Sequence, residues 1–263
     1  VTGLIAQLSV IFGIAEPVIW QAGLVFLRVG AAVALLPGFG ESFLPQRVKM
    51  TAVLVMTAIV LPAVLEAPLP GTRLQGMTFT PGSAGVEVLA GLLLGFTLRL
   101  MILCLQIAGT MIGQSVSLAQ MFNGTGPEPQ PIVSNLLTLG GLVLFCTMGG
   151  LVRSVELLVY SYDILPPGQL PDPGEISRWA LGLSARAFAL AFTLSAPFIL
   201  AALLYNLALG AINRAMPSLM VTFIGAPALT LGGLILLALA SPFLLQSWQD
   251  ALAGRLLDPF GAW

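Results

Sequence analysis

An all-α membrane fold is predicted by three features of this sequence. Of its 263 residues, 57% are hydrophobic and only 8% charged, with a mean hydropathy of +1.00; an ordinary soluble domain carries about 25% charged residues. The apolar residues gather into six runs, several of them long enough for the roughly 20 residues a spanning helix needs. Connectors rich in Gly and Pro separate the runs. The expected fold is one domain: a bundle of about six long helical segments, partly kinked or broken, arranged as helical hairpins.

The charge balance excludes whole classes of function. Ten Lys and Arg stand against eleven Asp and Glu, a formal charge of -1, so no basic stripe exists to track phosphates and nucleic acid is excluded as a partner. The chain has no His. Cys104 and Cys146 lie far apart without a CxxC or other ligand spacing, which leaves no zinc site, no catalytic thiol and no expected cofactor. Both cysteines read as small buried hydrophobes.

Val1 to Glu16 is apolar but lacks leading Lys or Arg and a small-residue cleavage pattern, so it reads as mature chain. The first run, Pro17 to Leu36, leads through a turn-rich connector, Pro37 to Pro45, into a second, Met50 to Leu65, that is short for a span. Glu66 to Gly82 connects to the third run, Ala84 to Ile112, and Phe122 to Pro131 to the fourth, Ile132 to Leu165. After Pro166 to Gly174 come the fifth run, Ile176 to Ile212, interrupted by Pro197, and the sixth, Leu219 to Leu252, interrupted by Gly225, Pro227 and Pro242. Proline removes a backbone donor and clashes with the preceding turn, so these last helices are expected to kink or split. Broken helices at membrane depth need protein or a cavity to cover the freed groups. If the runs alternate, Arg47, Lys49 and Arg214 share one side and Arg73 lies on the other amid Glu16, Glu66, Asp172 and Glu175. The Lys/Arg bias then puts both termini on the non-cytoplasmic side.

In the third run Gly91 and Gly95 make one small-xxx-small pair and Gly109 and Gly113 another. The offset between the pairs is about five whole turns, so both lie on one stripe, with Arg99 and Gln106 near it. Small residues let helix backbones approach closely in a bilayer. Either the chain's own helices or a partner subunit can occupy such a stripe. Arg28, Arg99, Arg153, Glu156 and Arg186 sit within the apolar runs, where a lone charge costs about 2.5–3.5 kcal/mol. Arg153 and Glu156 are spaced to pair on one helix face; Arg28, Arg99 and Arg186 have no such local mate. Unpaired arginine stays protonated, which argues against a proton relay. No nucleophile has the neighbours that catalysis requires.

Four blocks together resemble a known family: Phe26 to Pro37 with Arg47-Val48-Lys49, Glu87 to Gly113, Gln114 to Pro131, and Asn213 to Thr230 with its NRAMP and IGAP steps. Their order and spacing are similar to the flagellar biosynthetic protein FliR family of the type III secretion export apparatus, which includes injectisome counterparts. The third connector departs from the family in having Gly126-Pro127-Glu128-Pro129 where an Asp-Pro step is usual. The resemblance implies a non-enzymatic subunit of an export gate in the bacterial inner membrane at the flagellar basal body. It implies FliP-like and FliQ-like partners, an FlhB-like neighbour, membrane lipid, and unfolded exported proteins as substrates. It further implies a FliP-like part over about 1–175 and a FliQ-like part over about 176–263. The loop matching the family's channel plug contains Gln114, Ser115, Leu118, Met121, Phe122, Asn123, Gly124 and Gly126; without the resemblance the same stretch reads as a surface loop with one greasy turn. Asn213, Arg214, Pro217, Gly225 and Pro227 are expected at helix-breaking turns that face partners. Other functions to separate are an injectisome subunit, a small-solute transporter and, least supported, an intramembrane enzyme.

Overall fold

The computed structural model describes residues 2–41, 44–66, 80–116, 132–216 and 221–258. Among them are seven α-helices and no strand: α1 Thr2–Leu35, α2 Gln46–Glu66, α3 Pro81–Ser115, α4 Ile132–Thr147, α5 Gly150–Ile164, α6 Pro173–Ala215 and α7 Val221–Leu257. Five are long and apolar enough to cross a membrane, or six spans in all if α4 and α5 form one broken span. The fold is that of an all-α membrane protein.

Local chemistry fixes several helix starts. Before α3, Thr80 Oγ1 accepts the Ser83 N–H at 3.2 Å and Ser83 Oγ accepts the Thr80 N–H at 3.0 Å, with Pro81 at the first helical position. This is a reciprocal capping box with Ser where Glu is usual. Before α6, Asp172 Oδ2 accepts the Glu175 N–H at 3.1 Å and Pro173 again opens the helix.

The fourth run breaks where no break was expected, and the proline-bearing runs are not split. The fourth run divides, because Gly149 adopts φ 72° ahead of α5, a left-handed conformation that only glycine takes up freely. The fifth and sixth runs instead stay helical through Pro197, Pro227 and Pro242. At Pro242 the reason is visible: the missing N–H frees the Ala238 carbonyl, and Ser241 Oγ donates to that oxygen at 3.2 Å, one of the ways a bilayer helix tolerates proline. The second run also gains length, since Gln46 to Lys49 join α2.

The chain forms two compact units, each drawn from separate stretches: 1–99 with 148–180 and 254–263, and 100–147 with 181–253. In the first unit α2 packs on α1 and on α5. Its buried Val53, Met56, Val60 and Val64 form one helical stripe, while Leu54, Val55 and Ile59 point outward. On α5 the inward stripe is Ser154, Leu157, Leu158, Ser161 and Tyr162. In the second unit α4 buries Ser134, Leu137, Gly141 and Phe145. There the Trp248 indole, fully buried on α7, donates to the Met101 carbonyl at 2.7 Å.

Candidate functional site

The most constrained constellation lies in the first unit around Arg28, which is fully buried with Glu87. Arg28 Nε donates to Glu87 Oε2 at 2.6 Å and Nη2 to Oε1 at 3.2 Å. Nη1 donates to Ser161 Oγ at 3.1 Å and Nη2 to the Leu165 carbonyl at 3.0 Å. The Ser161 hydroxyl in turn donates a hydrogen bond to the Leu158 carbonyl at 2.6 Å. The Tyr162 ring lies against the guanidinium face, 3.7 Å from its carbon to the ring centroid. One side chain of α1 thus holds α3, α5 and the residue after α5. A fork of donors, a carboxylate and an aromatic face suit arginine and not lysine.

Neither Arg28 nor Arg99 has a mate legible in its local sequence, because their carboxylates lie 59 and 58 positions away. Arg99 pairs with the half-buried Glu41, whose carbonyl also accepts from Lys49 Nζ at 2.9 Å. A signal for Glu87 existed: it stands in the third run, one helical turn before Gly91. The expected local pair is present, with Arg153 Nη1 at 2.9 Å from Glu156 Oε2 on an exposed face.

The glycines of α3 serve as seats for other helices of the same chain. A side chain on Gly91 would overlap the Arg28 main-chain oxygen, and one on Gly95 would stand 2.7 Å from the Ala32 oxygen and 2.8 Å from Leu35 Cβ. In the second unit a side chain on Gly109 would overlap Ser134 Cα, while Ser134 Oγ donates to the Gln106 carbonyl at 3.0 Å. Gly113 is buried, yet an added Cβ there meets nothing within 4 Å. The seats at Gly91 and Gly95 are occupied by α1 and that at Gly109 by α4.

The remaining expected residues divide. Gln114 and Ser115 are not loop residues but the last turn of α3, its carbonyls still engaged by the Val116 N–H to Ile112. Leu118, Met121, Phe122, Asn123, Gly124 and Gly126, with Pro217, lie outside the described residues. Asn213 and Arg214 are exposed in the last turn of α6. Gly225 and Pro227 do not form a turn; they lie inside α7. There Gly225 fits beneath Leu209, and its carbonyl accepts the Tyr205 hydroxyl at 2.8 Å. This lateral bond ties α6 to α7. Cys146 is exposed on α4, contrary to the expected burial, whereas Cys104 is buried. Among the described residues no group of three His, Cys, Asp or Glu is placed to hold a metal ion.

The fold and its charge nodes define a polytopic membrane protein whose polar chemistry ties helices together. A family model of bacterial export proteins, family 1, matches residues 19–254. The chain therefore belongs to that family, the FliR family of the type III secretion export apparatus. It is similar to the flagellar biosynthetic protein FliR of Caulobacter vibrioides, 33% identical over 92% of this chain and 96% of that protein. It is also similar to FliR of Escherichia coli K12, 28% identical over 83% of each chain. The secretion system apparatus protein SsaT of Salmonella typhimurium is 26% identical over 62% of this chain and 64% of that protein.

Proposed function

We propose that this chain is a non-enzymatic subunit of the flagellar protein export gate, held in the bacterial inner membrane at the flagellar basal body. There it forms part of the protein-conducting channel with FliP-like and FliQ-like subunits and borders an FlhB-like one, and unfolded exported proteins pass through. The observation that carries this reading is the family match across residues 19–254. The geometry agrees with a subunit: within an apolar 18-residue stretch of α6 and of α7 only 33% and 22% of the residues are buried by the chain, against 61% in that of α3. At about 1.5 Å per residue, 43 and 37 residues make rods of roughly 64 and 55 Å. Both far exceed the approximately 30 Å hydrocarbon core. Helices this long, with outward apolar faces, suit lateral packing by other chains.

The gate itself is assigned to the stretch 114–130, with Met121 and Phe122 at the lumen. An apolar constriction blocks ions by dewetting and still yields to a chain pushed through it. Flagellum is favoured over injectisome by the higher identity and wider coverage of the Caulobacter vibrioides FliR than of SsaT. A tagged chain purified from its native membrane should bring down a stable hetero-complex, and its deletion should abolish export of flagellar proteins. Recovery as a self-sufficient monomer or homo-oligomer would instead support a small-solute transporter.

A further inference from the structure

Of the arginines inside the apolar runs, Arg28, Arg99 and Arg153 each hold a carboxylate. Arg186 is exposed on α6 and makes no hydrogen bond or ion pair among the described residues. Its helix buries Leu183, Ala187, Ala191 and Leu194 on one side. At 100° per residue the outward face spans about 160°, from Phe188 and Leu181 through Phe192, Ala185 and Ala189 to Arg186. Leu181 is 71% exposed, and Phe188 and Phe192 are each 57% exposed. Arg186 therefore stands at one edge of this outward face, beside Gly182 and Ala189, with Leu181 and Phe188 towards the other edge. It is not at the polar end of that face, where an arginine reaching for lipid phosphates belongs.

We infer that Arg186 marks the contact surface for a helix of a neighbouring subunit that carries an Asp or Glu at the same depth. This rests on reading the chain as an assembly subunit. An arginine left alone on such a face is costly, and a carboxylate that meets it across the contact removes the cost with a charge-assisted hydrogen bond. The residues between the phenylalanines and the arginine are small: Ala185, Ala189, Thr193 and Gly182, where an added Cβ meets nothing within 4 Å. Small side chains there let a helix backbone approach closely, the arrangement favoured by packed helices over lipid chains.

The experiment uses the full chain, tagged, in its native membrane. Arg186→Glu should lower recovery of the hetero-complex more than about tenfold, while Arg186→Gln should lower it less. The amount of chain in the membrane should stay at the parental level. A photo-reactive amino acid in place of Ala185 should cross-link to a protein helix bearing Asp or Glu. Changing that acid to Lys should restore assembly to Arg186→Glu. The inference is overturned if Arg186→Glu assembles at the parental level, if the cross-link reaches phospholipid only, or if no charge swap in the cross-linked helix rescues assembly. Should Arg186→Glu not accumulate, Arg186→Gln and the cross-link decide between the same outcomes. A parental chain that yields no hetero-complex would instead sink the subunit reading on which the inference rests.

Discussion

The main-chain oxygen of Arg28 occupies the space where a side chain on Gly91 would begin, one helical turn beyond the Glu87 that grips the Arg28 guanidinium. The close approach and the ion pair belong together. Without a glycine at 91 the two backbones would stand further apart, and the short bidentate contact would lengthen.

Removing Glu87 should be among the most damaging single changes. Glu87→Ala leaves Arg28 buried without its counter-charge, a loss of about 3–5 kcal/mol. The chain should fall in membrane abundance and in melting temperature in detergent. The double change Arg28→Met with Glu87→Leu should recover much of the loss, since a buried pair replaced by apolar groups is often neutral. Equal instability of the single and double variants would show that the pair is not the source of the damage.

The α3 glycines should respond unequally to the same substitution. Gly91→Ala and Gly109→Ala place a Cβ on backbone atoms of another helix, and overpacking of this kind costs about 1–3 kcal/mol or more. Gly113→Ala meets open space and should be tolerated. Melting temperatures of the three variants, measured on the purified chain, test the ranking.

Trp248→Phe should destabilise by about 1–3 kcal/mol, because it leaves the Met101 carbonyl without its side-chain donor in a fully buried site. Loss of indole volume adds to this. Tyr205→Phe removes the lateral bond to the Gly225 carbonyl and should cost less, about 0.5–1.5 kcal/mol. Thermal unfolding in the same detergent compares the two. A Tyr205→Phe variant less stable than Trp248→Phe would reverse the assignment.

If 114–130 seals the channel, replacing Met121 and Phe122 by Gly should leave the assembled complex intact but leaky to small ions. Conductance of the complex in membranes, with assembly checked by co-purification, measures this. Parental tightness in an assembled variant would place the seal in the partner subunits.

The helical, membrane-borne character of the chain was legible in its residues, because hydropathy and run length act locally and need no knowledge of neighbours. The Arg153–Glu156 pair was legible for the same reason, a three-residue spacing on one helix. Spacing also marked Gly91, Gly95, Gly109 and Gly113 as places of close approach, although it left open which helix approaches, and at Gly113 an added Cβ meets nothing within 4 Å. Only the tertiary structure decided that α1 and α4 take those seats, and that Arg28 and Arg99 find carboxylates far away in the chain. It alone placed the break at Gly149 and kept α6 and α7 helical through their prolines. A proline's local cost is fixed by its ring, but whether a helix breaks depends on what satisfies the freed carbonyl. At Pro242 that is the Ser241 hydroxyl, a geometric fact that residue order alone does not contain.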